Sequence, residues 1–369
     1  MKIAVLGSGM VGSAMALDLA QAHEVHVFDL NDQNLARLKS KNSAISVKQA
    51  DLSQREKFGD WFREFDLVLI AVPGFMGFDT VKAVIEAGKN IVDISFFPEN
   101  ALELDALAKK HGVTVITDCG VAPGMSNYII GRYNEEMEVE SFEIYVGGLP
   151  KIRKKPFEYK APFSPIDVIE EYTRPARIME NGHIVVKPAL TEMEWMQFEE
   201  LGTLEAFNTD GLRSLLFTMP HIRNQKEKTL RYPGHIELII ALKEAGFFSE
   251  KSIQINGTSI TPMQFSSKIL FDEWKLGEEE EELTVMKVMV KGKDKTVTYD
   301  MLDRYDPVTK ISSMSRSTGY VATATINMLA AGLFQEKGVF PPELVGKYKP
   351  CFDYVINYLQ ERGVNWRKS

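Results

Sequence analysis

The sequence predicts an α/β fold: a doubly wound parallel sheet followed by a second, α+β domain. Three observations predict it. Short apolar runs alternate with helical periodicity over the first 120 residues. A glycine-rich turn joins the first apolar run to the first helix. Beyond Thr117 the rhythm changes to longer strands and hairpin-like pairs.

The elements follow in order. Lys2–Leu6 is a short, nearly all-apolar run, as expected of a strand buried on both faces. A helical stretch covers Gly12–Gln21. Glu24–Asp29, Asp66–Val72, Ile91–Ile94 and Val113–Thr117 read as further strands, with helical patterns at Phe78–Ala87 and Ala101–Lys110 between them. Ser141–Gly147 reads as a strand, Lys151–Pro156 as a basic loop and Ser164–Tyr172 as a capped helix. Leu283–Val290 and Thr296–Met301 flank Lys291-Gly292-Lys293-Asp294 and read as a hairpin, so the second domain is expected to be antiparallel. Ser315–Phe334 is a long helix of small and apolar residues. The proline-rich Val339–Glu343 follows it, and Phe352–Arg362 forms a last helix that packs back on the first domain. The expected division is 1–120, completed by about 335–369, and 121–334.

Composition narrows the function. Apolar residues make up 44% and charged residues 25%, the balance of a globular protein. The net charge of -8 gives no overall attraction for nucleic acid or an anionic membrane surface. The two cysteines, Cys119 and Cys351, make neither a disulfide framework nor a zinc cluster, and no metal site is expected. No apolar run is long enough to span a membrane. A strand beginning at Lys2 leaves no room for a signal peptide, so the expected location is cytoplasmic.

Gly7, Gly9 and Gly12 form Gly-x-Gly-x-x-Gly between a strand and a helix, which is the context a Rossmann dinucleotide site requires. The first glycine permits the turn, the second lets backbone approach a pyrophosphate, and the third allows close helix–strand packing. Met10 and Val11 open the helix, whose free N–H groups and positive potential suit phosphates. Asp29 ends the second strand. A carboxylate there accepts hydrogen bonds from ribose hydroxyls and repels a 2′-phosphate, which favours NAD over NADP. Val72 and Pro73 lie just after a central strand and Asp93 at the end of the next, where loops line a cofactor crevice.

The segment from Asp118 to Asn127, Asp-Cys-Gly-Val-Ala-Pro-Gly-Met-Ser-Asn, resembles the saccharopine reductase-like (saccharopine dehydrogenase) family, and within it the lysine 6-dehydrogenases. Tyr145–Pro150, Glu158-Tyr159, Phe163-Ser164, Glu205–Gly211, Lys228–His235 and Val339–Glu343 carry the resemblance along nearly the whole chain. It implies an N-terminal Rossmann domain completed by C-terminal residues, and a second domain that binds substrate and makes a homodimer. The implied activity is removal of a hydride and ammonia from the ε-carbon of lysine, giving 2-aminoadipate 6-semialdehyde. It also places Pro123 beside the cofactor and Asn127 and Thr209 beside the substrate. Cys119 departs from the larger apolar residue or proline expected there.

Oxidising an amine requires the neutral amine, so a base must take a proton from the ammonium. Asp118, at the junction of the domains, is a candidate for that base or for an ammonium anchor; it is equally a cap on the following turn. Arg213 is the candidate binder of the substrate carboxylate, or else an interdomain salt bridge. His235 is a candidate proton relay, or a structural histidine. Tyr159 and Ser164 are candidate donors to substrate, or an interdomain wall and a helix N-cap. Cys119 reads as a buried structural thiol. The runs Glu278–Glu282 and Lys151–Lys155 read as solvated. The alternatives are a saccharopine dehydrogenase, a carboxynorspermidine-type reductase, and a redox sensor that binds NAD(H) without turnover.

Overall fold

The computed structural model describes residues 1–162, 165–277 and 280–369, with the side chains of 165 and 166 set aside. In the first domain, β1 (Lys2–Leu6), β2 (Glu24–Asp29), β3 (Ser46–Gln49), β4 (Leu67–Ile70), β5 (Asn90–Asp93) and β6 (Thr114–Ile116) form a parallel sheet. Its order is β3-β2-β1-β4-β5-β6, with Gly338–Val339 added beside β6. The order reverses between β1 and β4, and the crevice at the carboxyl ends of those strands is where such sheets bind ligands. The apolar run of β1 divides by alternation. Ile3 and Val5 enter one core, Ala4 and Leu6 the other, and β4 divides likewise. Each strand is therefore buried on both faces, which is why it carries no polar residue after Lys2.

Two strands of this sheet escaped the sequence reading. Ser46–Gln49 is a polar edge strand, and Gly338–Val339 is only two residues long. Neither presents an apolar period.

The long helix, Ser313–Ala330, packs along Met10–Leu19 and so covers the first domain as well as joining the second. Gly319 allows the approach: a Cβ there would meet Met15 Cγ at 2.9 Å. The last helix, Lys349–Glu361, is tied to the same face through buried Asp18. That carboxylate accepts from Arg362 Nε at 2.6 Å, from the Tyr358 hydroxyl at 2.7 Å and from the Thr323 hydroxyl.

The second domain is a nine-stranded mixed sheet. The predicted hairpin is present as Glu282–Gly292 and Thr296–Arg304. However, Val139–Pro150 pairs antiparallel with Glu282–Gly292 and parallel with Asn224–Arg231. The purely antiparallel expectation is thus corrected: the chain crosses over through the helix Pro165–Thr173 before returning to the sheet. Trp366–Lys368 adds to the Thr296–Arg304 edge. The run at Glu278–Glu282 is not uniformly solvated. Glu282 is buried and accepts from the Ser313 hydroxyl at 2.7 Å and from Met314 N at 3.3 Å, anchoring the start of the long helix. Positions 278 and 279 lie outside the described residues. Among the described residues no helix is long and apolar enough to cross a membrane.

Candidate active site

A cleft of about 1640 Å³ runs from the glycine loop across the carboxyl ends of the first sheet and into the second domain. Gly7, Gly9, Met10, Val11, Gly12, Asp29, Val72, Pro73 and Pro123 all line it. The three glycines differ in what surrounds them. Gly7 has φ of +104°, and a Cβ there would lie 2.4 Å from Ala71 O. At Gly12 a Cβ would lie 2.2 Å from Gly7 O. At Gly9 nothing lies within 4 Å. Thus Gly7 and Gly12 shape the turn, while Gly9 faces open space at the start of the helix Met10–Leu19, where the free backbone amides gather. This cradle fits a pyrophosphate.

Asp29 is held in place by the loop itself. Its Oδ2 accepts from Ser8 N at 2.5 Å and Ser8 Oγ at 2.9 Å, and its Oδ1 accepts from Asn31 N at 2.7 Å. The carboxylate is thereby presented to the cleft, whose lining at this end also includes Arg37 and Lys41. Asp93 does not line the cleft. It is fully buried behind it, accepts from Ser95 N at 3.1 Å, and its carboxyl is pushed up to about 8, chiefly by burial. It supports the loop of Ser95 and Phe96, which do line the cleft.

The substrate half sorts the remaining candidates. Asp118 and Thr209 line the cleft. Arg213 does not. Its Nε donates to Asp118 Oδ1 at 2.8 Å, it also donates to the Phe97 carbonyl, and its guanidinium lies 4.7 Å from the Phe96 ring centre. The guanidinium is committed to an interdomain ion pair, so the carboxylate-binding expectation for Arg213 gives way to the salt-bridge one.

His235 is buried with Nε2 2.9 Å from the Tyr172 hydroxyl and Nδ1 2.9 Å from the Phe157 carbonyl. Burial first, and Arg231 second, lower its pKa to about 3, so the ring is neutral and away from the cleft lining. The relay expectation is corrected on that ground. Tyr159 does not line the cleft: it is buried in a second-domain core with Tyr172 and Trp274, its ring 4.3 Å from the Arg231 guanidinium, so neither the donor nor the interdomain-wall expectation holds. Asn127 accepts from Gly124 N at 3.2 Å and donates to Glu343 at 2.9 Å, closing the start of the helix Met125–Glu136 rather than facing substrate. Ser164 lies outside the described residues. Cys119 turns away from the cleft, with Sγ 3.0 Å from Thr325 Oγ1, and burial pushes its thiol up to about 12.

Arg231, which the sequence offered with Arg213 and Lys160 as a cation for a substrate rich in carboxylates, lines the cleft and donates to Glu171 at 2.5 Å. Other cleft residues escaped the sequence reading: Arg174 pairs with Glu170, and Asp210 is held at 2.8 Å by Arg177 from behind the lining. Glu227, 4% exposed, lines the cleft and accepts from Thr209 Oγ1 at 2.6 Å and Gly211 N at 3.1 Å, both on Oε2. Burial, then the charges of Glu171 and Asp210, push its carboxyl up to about 8 against the pull of those hydrogen bonds. The available signal was Lys226-Glu227-Lys228-Thr229-Leu230-Arg231, a run too charged for a strand with most of its residues buried.

Family models match almost end to end: "Saccharopine dehydrogenase NADP binding domain" over residues 3–116 and "Saccharopine dehydrogenase C-terminal domain" over residues 120–364. The chain is similar to the mitochondrial alpha-aminoadipic semialdehyde synthase of Rattus norvegicus, 27% identical over 68% of this chain and 29% of that protein. It is also similar to the saccharopine dehydrogenase [NADP(+), L-glutamate-forming] of Saccharomyces cerevisiae, 26% identical over 69% of this chain and 60% of that one. The match thus spans less than a third of that synthase. A solved apo saccharopine dehydrogenase (L-Glu forming) from Saccharomyces cerevisiae superposes with a TM-score of 0.79 at 18% identity, covering 100% of this chain and 99% of that one, which shows the shared fold.

Proposed function

Because the chain belongs to the saccharopine dehydrogenase family of oxidoreductases, we propose that it oxidises the side-chain amine of an amino acid with a nicotinamide cofactor. The substrate we favour is L-lysine, with NAD as oxidant and 2-aminoadipate 6-semialdehyde and ammonia as products. The observation that carries this reading is the charge of the cleft wall on the substrate side. Asp118, Asp167, Glu170, Glu171, Asp210 and Glu227 line it; Arg213, Arg174, Arg231 and Arg177 pair with Asp118, Glu170, Glu171 and Asp210, so six carboxylates meet four arginines, while Asp272 and Glu280 are matched in number by Lys275 and Lys310. Lysine brings two ammonium groups and one carboxylate, which complements a wall with more carboxylates than arginines. Saccharopine brings three carboxylates, which does not.

When bound, the nicotinamide supplies the hydride acceptor. The protein's own part is to bind and orient. The Gly7–Gly12 loop receives the pyrophosphate, and Asp29 is set to receive the ribose hydroxyls. Asp118, held by Arg213 at the domain junction, turns its carboxylate to the cleft. The preference for NAD rests on Asp29. Arg37 and Lys41 at the same end, and the family's NADP-binding name, support NADP as the alternative.

A second reading, saccharopine dehydrogenation, is favoured by the names of the curated relatives. The test is NADH or NADPH formation from lysine and, separately, from saccharopine, with ammonia or glutamate measured alongside. Ammonia release from lysine supports the first reading. Turnover of saccharopine alone replaces it with the second. Cofactor binding with no turnover of either substrate supports the non-catalytic NAD(H)-sensor alternative. Light scattering tests the homodimer.

A further inference from the structure

We propose that Glu227 is the catalytic base that removes the proton from the substrate's reacting ammonium, with Thr209 as the residue that positions its carboxylate. This rests on the amine-oxidation reading above, and holds equally for a primary or a secondary amine.

Three observations meet at this side chain. First, it is placed. Glu227 Oε2 takes both the Thr209 hydroxyl and the Gly211 amide, and Thr209 is steadied in turn by Thr229 Oγ1 at 2.9 Å. Gly211 is required for this: a Cβ there would lie 2.5 Å from the Glu227 carboxyl carbon. Secondly, its charge is unmatched. Asp118, Glu170, Glu171 and Asp210 on the same wall each face an arginine, whereas no salt bridge reaches Glu227 among the described residues. The charged groups acting on it are Glu171 and Asp210, both repulsive, and the arginine on its own strand, Arg231, is paired to Glu171. A buried carboxylate with no cation is stabilised by any cation the cleft admits, and an ammonium substrate is one. Thirdly, its proton affinity suits the task. A carboxyl titrating near 8 accepts a proton from an ammonium far better than an ordinary carboxylate does, because the ideal base titrates near the working pH. Asp118, by contrast, already has its cation in Arg213.

The step balances as follows. The ammonium N–H bond breaks, an O–H bond forms on the Glu227 carboxylate, and the electron pair stays on nitrogen. That pair then forms the C=N bond as the neighbouring carbon loses hydride to the oxidised nicotinamide, so the carbon is oxidised and the nicotinamide reduced.

The experiment is the pH profile of kcat/KM for wild type, E227Q, E227D and T209V with whichever amine the wild type oxidises, together with NADH binding by fluorescence. The wild type should lose activity below about pH 8, where Glu227 is protonated. E227Q should lower kcat/KM by about 100-fold or more, the usual contribution of general-base catalysis, and abolish that acid limb while still binding NADH. E227D should recover part of the rate. T209V should move the limb to higher pH, since it removes a donor to the carboxylate. An E227Q enzyme with the wild-type rate and limb overturns the role of Glu227 alone. A wild type that oxidises neither lysine nor saccharopine overturns the amine-oxidation reading, and this role with it. If E227Q fails to bind NADH, E227D and T209V decide the question through the position of the limb: unmoved in both, the proposal is overturned.

Discussion

Replacing Arg213 by methionine should destabilise the protein severely without acting mainly on substrate binding. The side chains of Arg213 and Asp118 are 5% and 3% exposed, with Nε and Oδ1 2.8 Å apart. Arg213 also donates to the Phe97 carbonyl and stacks on Phe96 and Phe97. Methionine keeps the stem but leaves the Asp118 carboxylate buried without its cation. Breaking one half of a buried pair costs roughly 3–5 kcal/mol. Removing both charges, in D118N/R213M, should recover much of that loss, because no uncompensated charge remains. The assay is urea unfolding of the wild type, the two single variants and the double variant, read as a double-mutant cycle. A coupling of about 2 kcal/mol or more between the two sites is expected, within the range for directly contacting charges. The reasoning is refuted if R213M unfolds within about 1 kcal/mol of wild type, less than the buried-pair cost, while KM for the amino acid rises steeply. That outcome would return Arg213 to the substrate carboxylate.

Other tests address the remaining parts of the cleft. Gly9→Ala should fold with unchanged thermal stability, since its Cβ meets nothing within 4 Å, yet bind NADH more weakly; Gly12→Ala, with a Cβ 2.2 Å from Gly7 O, should lose stability as well, and equal melting temperatures for the two would contradict the geometry. Asp29→Ala should shift the ratio of kcat/KM for NAD and NADP towards NADP by about tenfold or more, the equivalent of one charge-assisted hydrogen bond of about 1.5–3 kcal/mol. An unchanged ratio would remove Asp29 from ribose recognition. His235→Phe should cost about 1–3 kcal/mol by removing the ring nitrogens that pair with the Phe157 carbonyl and with the Tyr172 hydroxyl, which is left with Arg231 Nε at 3.1 Å. It should also flatten the acid side of the stability curve. The folded ring titrates near 3 and the unfolded one near 6.5, so the wild type loses stability as pH falls through that window, where only the unfolded chain takes up the proton. A wild type and variant with parallel stability curves between pH 6.5 and pH 3 would show that His235 does not titrate as its burial requires.

Much of the first domain was legible because its physics is local. An apolar run of five residues, a turn that only glycine accommodates, and a helix start facing phosphates lie within Lys2–Leu19, and Glu24–Asp29 has the bounds read from the sequence. The family segments were legible for a different reason: they carry backbone demands. The Asp118 segment turns with Asp118 at a φ of 55° and Gly124 at 140°, and the Glu205–Gly211 segment ends in the loop that holds Glu227. Short polar strands such as Ser46–Gln49 left no such mark, and neither did the parallel pairing of Asn224–Arg231, which depends on a crossover through distant residues.

The sequence by itself therefore determined the α/β class, the nucleotide cradle and the family, since each depends on residues adjacent in the chain. Which polar side chains face the cleft was decided only by the tertiary structure. Asp118, Arg213, Glu227 and His235 are all buried polar residues in segments of the same character. Long-range packing pairs Arg213 with Asp118 and holds His235 neutral between Tyr172 and Phe157. It also leaves Glu227 on the cleft wall with hydrogen bonds but no cation. A side chain's charge state follows from what surrounds it in space, and a linear order of residues does not carry that information.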